Sequence, residues 1–256
     1  MRFHVLSTLL AAGLVVAACG SDENSTGGTP GDSTTTAGNG SNGGGSSGGG
    51  APLPSSEPSG PRQGIATYYA ATGDGNCSFG PSPNAMDVTA LNFPEYAGSA
   101  ACGTCIKVTG PKGEVTVRVV DSCPECEEHH LDLSKEAFGK IAELKAGRID
   151  ITYQAVSCNV TGNVQYVFKD GSSKWWTAIQ VRNHKLPIAK LEYQKGDGWT
   201  AMKRADYNYF LEEGGVGDQP SGLHVRVTSV DGQTLEDTLP GTITPEAVTT
   251  GGAQFE

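Results

Sequence analysis

Short runs of β-branched and aromatic residues alternate with turn-forming residues along most of the chain. In the first half of the folded body such runs occupy 65–70, 105–109 and 115–120, each bounded by Gly, Pro or Asn. Positions 149–155 alternate between apolar and polar side chains, the period of a strand with one buried face. These patterns predict a mostly β-structure.

One helix is predicted among these strands. Ser134 is a suitable N-cap, and Phe138, Ile141 and Leu144 recur at about one-turn spacing before Gly147. Strands with a single helix over 64–159 predict a small closed β-barrel.

The second half contains short strand patterns separated by Gly, Asn and Asp turns, and it holds all three Trp residues. Regular short strands over 160–256 predict a β-sandwich. The predicted strands are 164–168, 175–181, 188–193, 199–202 and 223–228.

The N-terminal region predicts export and a tether. An apolar run over 5–18 is too short to span a bilayer, and the sequence at 16–19, Val-Ala-Ala-Cys, resembles the lipobox of bacterial lipoproteins. We therefore expect a signal peptide over 1–19 with a lipidated Cys19; the alternative is an ordinary secretory signal with an incidental cysteine. Residues 20–63, rich in Gly, Ser, Thr and Pro, predict a disordered linker.

The composition restricts the class of partner. Asp and Glu outnumber Lys and Arg by 28 to 18, which gives a net charge of −10. Nucleic-acid binding needs clustered Lys and Arg, so nucleic acid is excluded as an expected partner. A neutral polymer suits this charge better than an acidic one.

Six of the seven cysteines lie in the predicted barrel. Two C-x-x-C pairs fit a four-thiolate zinc site by spacing. An even count in an exported protein instead favours disulfides, the interpretation we prefer. The six are Cys77, Cys102, Cys105, Cys123, Cys126 and Cys158.

Two aspartates are the candidate chemical groups of the barrel. Asp121 ends a predicted strand and Asp132 precedes the predicted helix. Taken alone, a turn-forming role for Asp121 and a helix-terminus role for Asp132 are simpler interpretations. We expect His129 and His130 to be exposed loop residues.

Several motifs of this segment resemble the first domain of expansins, a six-stranded double-psi β-barrel similar to glycoside hydrolase family 45. They are Gly-Ile-Ala-Thr-Tyr-Tyr at 64–69, Val-Thr-Gly-Pro-Lys-Gly at 108–113, Val-Asp-x-Cys-Pro at 120–124 and Leu-Asp-Leu-Ser at 131–134. The resemblance implies a polysaccharide groove lined by Thr67, Asp121 and Asp132, in which Asp132 matches the general acid of the related hydrolases. It also implies the disulfides Cys77–Cys102, Cys105–Cys158 and Cys123–Cys126.

Two departures change what the resemblance implies. Cys123 stands where many bacterial expansins have Tyr, so we expect Tyr68 or Tyr69 to supply part of the aromatic contact, and we place Tyr68 in the groove. The first strand carries no carboxylate, and the nearest acid is Asp74. Because glycoside hydrolysis generally needs two carboxylates, we expect the groove to bind without hydrolysing.

The second segment resembles the immunoglobulin-like second domain of bacterial expansins, classed as carbohydrate-binding module family 63. The resemblance rests on 166–185, which contains Gly-Ser-Ser-Lys-Trp-Trp, and on Asp-Tyr-Asn at 206–208. It implies a platform on cellulose made by Trp175, Trp176 and Tyr207, with Lys169 beside it. Both indoles can share one face only if the strand is bulged or twisted. We expect Trp199 to be a core residue.

Together these observations predict an all-β protein with a disordered N-terminal tether, a double-psi barrel over 64–159 and a β-sandwich over 160–256. We expect an exported, lipid-anchored monomer that loosens wall polysaccharide without covalent chemistry, cofactor or metal. Its expected partner is cellulose, xyloglucan or another wall polysaccharide, with peptidoglycan as a further possibility. The alternatives are a wall-degrading enzyme that uses Asp132 as general acid, and a surface adhesin.

Overall fold

The computed structural model describes residues 60–256. The predicted signal peptide, Cys19 and nearly all of the predicted linker therefore lie outside the described residues. Within 60–256 no helix combines the length and the apolar character needed to cross a membrane.

The first part of the described chain forms a closed six-stranded barrel in the order β1-β5-β2-β4-β3-β6. The pairs β1–β5 and β2–β4 are parallel and the other neighbours are antiparallel. The elements are β1 (Arg62–Tyr69), β2 (Val88–Asn92), α1 (Phe93–Tyr96), β3 (Cys105–Gly110), β4 (Gly113–Cys123), β5 (His130–Ser134), α2 (Lys135–Ile141), the 3-10 turn Leu144–Ala146 and β6 (Ile149–Val156).

The barrel core is built from the inward positions of these strands. Val115, Val117 and Val119 alternate with more exposed residues along β4, as a strand with one buried face requires. Leu131 and Leu133 do the same on β5, and Phe138 on α2 packs into the same cluster. The predicted barrel is thus confirmed.

The predicted helix is shorter than expected. Ser134 caps α2 by accepting a hydrogen bond from the backbone N–H of Ala137 at 3.1 Å. Ala142 then adopts an extended conformation, which ends the helix after Ile141 and leaves only a separate 3-10 turn before Gly147. The short helix α1 was not predicted.

The second part is a sandwich of a four-stranded and a five-stranded sheet, with strand orders β10-β9-β13-β14 and β11-β12-β8-β7-β15. Its core is a second cluster that includes Tyr166, Ile179, Leu191, Phe210 and Val225, all nearly fully buried. The strands are β7 (Gln165–Phe168), β8 (Thr177–Arg182), β9 (Ile188–Lys195), β10 (Gly198–Ala201), β11 (Lys203–Arg204), β12 (Phe210–Glu212), β13 (Leu223–Ser229), β14 (Thr234–Leu239) and β15 (Val248–Thr250).

All six described cysteines are paired in disulfides. The pairs are Cys77–Cys102, Cys105–Cys158 and Cys123–Cys126, the pairing that the resemblance implies. Their sulfurs are therefore not thiolates that could bind zinc, which argues against the zinc alternative.

Polar contacts join the barrel to the sandwich. Gln180 and Asn208 of the sandwich donate side-chain hydrogen bonds of 2.8 and 3.1 Å to the carbonyl of Cys77, and Ser99 of the barrel donates one of 2.7 Å to the carbonyl of Ala205. Gln180, Asn208 and Ser99 are all buried, so breaking these contacts would leave unpaired polar groups. We call this set of contacts the junction.

Candidate functional site

The parallel pairing of β1 with β5 brings Thr67 beside Asp132. The two residues are register partners, and the Thr67 hydroxyl donates a hydrogen bond of 2.5 Å to Asp132 Oδ1. His130 Nε2 lies 2.8 Å from the same hydroxyl. Because that hydroxyl has one proton and gives it to the carboxylate, the imidazole N–H donates to Thr67, so the three groups form a short hydrogen-bonded chain. His130 is thus part of the site, not a free loop residue.

The environment of Asp132 raises the pKa of its carboxyl group. Burial raises the pKa of Asp132, although the hydrogen bond from Thr67 and the nearby His130 act in the opposite direction. Burial also lowers the pKa of His130, against the effect of Asp132. A carboxyl group that keeps its proton to higher pH can donate a hydrogen bond or a proton to a glycosidic oxygen.

Asp121 reaches the groove through an irregularity of β4. The pairing of β2 with β4 shifts register between Thr89 and Ala90, so that Ala90 pairs with Asp121. Asp121 Oδ1 accepts backbone hydrogen bonds from Asn76 at 2.7 Å and Ser122 at 2.8 Å. Asp121 thus lies inside β4, which continues to Cys123, and does not end the strand as predicted.

The structure corrects the placement of Tyr68. Its ring packs against Phe138 with the ring centres 4.9 Å apart, on the core side of β1. Successive strand side chains point to opposite faces, so Tyr69 shares the groove side with Thr67. Burial, and then the carboxylates of Asp121 and Asp132, raise the pKa of Tyr69. Tyr69, not Tyr68, is therefore the tyrosine on the same side of β1 as Thr67, where it packs against the Cys123–Cys126 disulfide, and strict alternation from Thr67 would have identified it.

An open depression of about 760 Å³ lies beside Asp121. Its lining combines the exposed Phe93 with acidic and polar groups from both parts of the chain. The lining residues are Thr72, Asp74, Gly75, Asn76, Phe93, Asp121, Ser122, Pro124 and Asp206. Sequence reasoning missed Phe93, Asn76 and Asp206. The pattern Asn92-Phe-Pro-Glu95 is a capping box with Pro near the helix start, and it could have revealed α1 and the position of Phe93.

Trp175 and Trp176 lie in a tight turn, not in a strand. Ser173 and Trp176 form an isolated bridge closed by backbone hydrogen bonds of 2.7 and 3.3 Å, and β8 begins only at Thr177. The prediction of a bulged strand is therefore wrong, because a turn changes the direction of successive side chains by itself. Trp175 is 72% exposed and Trp176 is half-buried, so both indoles are available to a ligand.

Gly215 packs closely against the backbone of the turn that carries Trp175. Gly215 has φ +72°, and a Cβ at this position would lie 2.1 Å from the carbonyl oxygen of Lys174. Gly217 donates a backbone hydrogen bond of 2.9 Å to that same oxygen. Lys174 Nζ lies 4.9 Å from the centre of the Trp175 ring. The exposed indole thus projects from a fixed backbone.

Tyr207 and Lys169 both lie next to a third ring, that of Tyr209. Tyr207 is half-buried with its ring centre 5.9 Å from that of Tyr209, and Lys169 Nζ is 5.7 Å from the centre of the Tyr209 ring. The residue before Tyr207, Asp206, accepts hydrogen bonds on its carbonyl from Tyr96 at 2.7 Å and Asn76 at 3.1 Å. These two hydrogen bonds therefore connect the barrel side of the depression to the residue next to Tyr207.

Trp199 is not the core residue that we expected. It is half-buried on the edge strand β10 and lies outside the buried cluster of the sandwich. The guanidinium of Arg226 stands 4.5 Å from its ring centre on the outer face of the four-stranded sheet.

Comparisons with known proteins find relatives in sequence. A family model described as lytic transglycolase matches residues 62–153, the barrel. The Bacillus subtilis protein Expansin-YoaJ is 42% identical over 184 residues, which cover 70% of this chain and 78% of that protein. Expansin-like protein 5 of Dictyostelium discoideum is 32% identical over 203 residues, covering 74% of this chain and 83% of that protein.

Solved structures extend the similarity to both parts of the chain. The apo structure of Clavibacter michiganensis expansin is 38% identical with a TM-score of 0.70, covering 77% of this chain and 98% of that one. A structure of a single-residue variant of that expansin, in complex with cellohexaose, gives a TM-score of 0.71 with the same identity and coverage.

Proposed function

Since the chain belongs to the expansin family, we propose that it loosens polysaccharide walls by binding a neutral β-glucan, with cellulose as the first candidate. One glucan would contact the groove formed by Thr67, Asp121 and Asp132 and the platform formed by Trp175, Trp176 and Tyr207. The observation that carries the proposal is the hydrogen-bonded contact of Asn76 and Tyr96 with Asp206, since it connects groove and platform. The Clavibacter expansin bound to cellohexaose supports a cellulose-type ligand.

The groove acts without hydrolysis in this proposal. Hydrolysis of a glycosidic bond generally uses one carboxylic acid and a second carboxylate that activates water or attacks the sugar. Asp132 has the raised pKa that suits a general acid. Its register partner on β1, however, is Thr67, whose hydroxyl is not a base at neutral pH. Asp132 would then hydrogen-bond a glycosidic oxygen and weaken the packing between neighbouring glucan chains without cleaving either.

The charge of the site favours a neutral polymer. Asp74, Asp121 and Asp206 line the depression, and no Lys or Arg is among its lining residues. A polyanionic wall polymer would be repelled there. Xyloglucan fits the same requirement as cellulose, whereas peptidoglycan carries carboxylates on its peptide stems and fits less well.

The proposal also includes the cellular location of the protein. The signal resemblance at 16–19 supports export and a lipid anchor on Cys19, and the Gly/Ser-rich residues 20–63 would then tether a monomeric body to a membrane.

Binding to insoluble polysaccharide tests the proposal. Trp175→Ala should reduce the fraction retained on cellulose roughly tenfold, because an exposed aromatic anchor is lost. Val248→Ala is the matched control, since Val248 is 55% exposed but is not among the residues that line the depression or form the proposed platform. Equal retention of the wild type and Trp175→Ala would contradict the platform, and stronger retention on peptidoglycan would contradict the neutral glucan.

Wall loosening and product release are measured separately. Asp132→Asn should abolish loosening of cellulose paper while leaving retention on cellulose largely intact, since the platform is unchanged. Loosening that survives this substitution would favour a simple adhesin. Reducing sugar released by the wild type and lost in Asp74→Ala would show that Asp74 supplies the missing base and that the protein is an enzyme.

A further inference from the structure

Phe93 is an exposed aromatic side chain on the short helix α1 of the barrel. Within residues 60–256 the exposed large hydrophobic side chains are Phe93 at 54%, Trp175 at 72% and Val248 at 55%. Trp175 belongs to the proposed platform, and Phe93 lines the depression beside Asp121. An exposed aromatic within a polar concavity is typical of a ligand contact.

The backbone that carries Phe93 is fixed on both sides. Asn92 caps α1 by accepting from the backbone N–H of Glu95 at 3.0 Å, and its own side-chain amide donates to Glu95 Oε2 at 2.6 Å. Tyr96, at the other end of α1, is buried and donates to the Asp206 carbonyl at 2.7 Å. The ring is therefore presented from a rigid turn, so little conformational entropy is lost when a ligand covers it.

Phe93 lies next to the position where the resemblance leads us to expect a groove aromatic. Asn92 pairs with Cys123 in the parallel register of β2 and β4, and Pro124 lines the depression together with Phe93. Cys123 itself is buried in its disulfide with Cys126 and offers no ring to a ligand. An aromatic contact is thus available from the adjacent strand end.

The polar groups around the ring suit a sugar. A hexose in a β-glucan has flat C–H faces that stack on an aromatic ring and a belt of hydroxyl groups that donate hydrogen bonds. Asp74, Asp206 and the second oxygen of Asp121 supply acceptors at the same depression. Asn76 adds its amide oxygen, since its two side-chain N–H groups donate to Tyr96 and to the Asp206 carbonyl.

We infer that Phe93 stacks on one neutral hexose unit and forms a subsite between the groove and the platform. The inference rests on the proposed function and adds to it a residue that determines where the glucan leaves the barrel. The continuity is direct, because Tyr96 of α1 and Asn76 of the depression both contact Asp206, the neighbour of Tyr207.

Calorimetric titration of the full chain with cellohexaose tests the inference. Phe93→Ala should weaken binding roughly three- to tenfold, the range expected for the loss of one aromatic stack. Phe93→Trp should retain the wild-type affinity or exceed it, because a flat ring remains. Val248→Ala should match the wild type, as an exposed apolar residue outside the site. Thermal unfolding should show no change in melting temperature for any of these variants, since the altered side chains are exposed.

The outcomes of this titration distinguish the Phe93 subsite from the proposed function on which it rests. If Trp175→Ala weakens cellohexaose binding and Phe93→Ala does not, the Phe93 subsite is wrong and the proposed function stands. If Phe93→Ala and Phe93→Trp weaken binding equally, the effect is not stacking and the inference is also overturned. If the wild type does not bind cellohexaose, both fail.

Discussion

His184 of the sandwich is buried against Gly103 of the barrel, and we expect it to make the stability of the protein sensitive to acid. Its Nδ1 donates a hydrogen bond of 2.8 Å to the carbonyl of Leu186, which leaves Nε2 without a proton when the ring is neutral. Burial, followed by the nearby guanidinium groups of Arg204 and Arg118, lowers the pKa of His184 to about 4. The backbone of Gly103 in the barrel approaches the ring so closely that a Cβ there would lie 2.6 Å from it.

The size of the effect follows from linkage. An unfolded histidine has a pKa of about 6.5, so acid protonates the unfolded chain before the folded one. Stability from the neutral His184 is therefore present above about pH 6.5 and is lost as the pH falls toward 4. With these two pKa values, the free energy of unfolding should fall by about 2 kcal/mol between pH 7 and pH 5, and by about 3 kcal/mol at pH 4.

Urea unfolding at pH 7 and pH 5 measures this loss. We expect His184→Asn, whose side-chain amide can replace the donor to Leu186, to lose about 2 kcal/mol less than the wild type over this range. His224→Asn, which removes an exposed imidazole, is the matched control and should behave as the wild type. The raised pKa of Asp132 acts in the opposite direction, but it is common to all three proteins and cancels in the differences. An unchanged pH dependence in His184→Asn would refute the reasoning.

Three further predictions concern other contacts. Gly103→Ala should destabilise the protein by about 2 kcal/mol in urea unfolding, because φ is +77° there and the new methyl group meets the buried imidazole. Replacing both Cys105 and Cys158 by Ser should cost about 4 kcal/mol by the same measurement, since this disulfide closes a loop of 53 residues. Thr67→Val should raise the pKa of Asp132 in a carboxyl-carbon NMR titration, because it removes the hydrogen bond that stabilises the carboxylate; an unchanged pKa would contradict that assignment.

Hydrophobic periodicity predicted those strands that have one buried face. The alternation over 149–155 corresponds to β6, and the valine-rich run at 115–120 lies within β4. Periodicity did not predict β2, because its five residues are all buried and show no alternation. It also missed β5, because a strand of five residues is too short to be distinguished from the helix that directly follows it. The local patterns therefore predicted a small closed barrel, and only its number of six strands came from the resemblance.

The candidate groove depends on contacts between residues far apart in the chain, and this limits what sequence can reveal. Thr67 and Asp132 meet only because β1 and β5 pair in parallel, and Asp121 is aligned with Ala90 only through the register shift between β2 and β4. No local pattern encodes either pairing. The motif resemblance assigned Thr67, Asp121 and Asp132 to one groove, and the structure brings Thr67 into hydrogen-bond contact with Asp132. Tyr68 was our own substitute for the aromatic missing at position 123, although local alternation alone favours Tyr69.

Phe93 shows what a motif resemblance cannot predict. A motif transferred residue by residue can assign a role only where the two sequences share a residue type, and at position 123 the shared aromatic is missing. The ring that we propose in its place, that of Phe93, directly follows the end of β2, where Asn92 pairs with Cys123. Contacts with a sugar face require a flat ring at a given place and not at a given sequence position. The position of the Phe93 ring is identified only by the register of β2 against β4 together with the exposure of Phe93. The titration with Phe93→Ala and Phe93→Trp therefore tests a conclusion that neither the periodicity nor the resemblance could have reached.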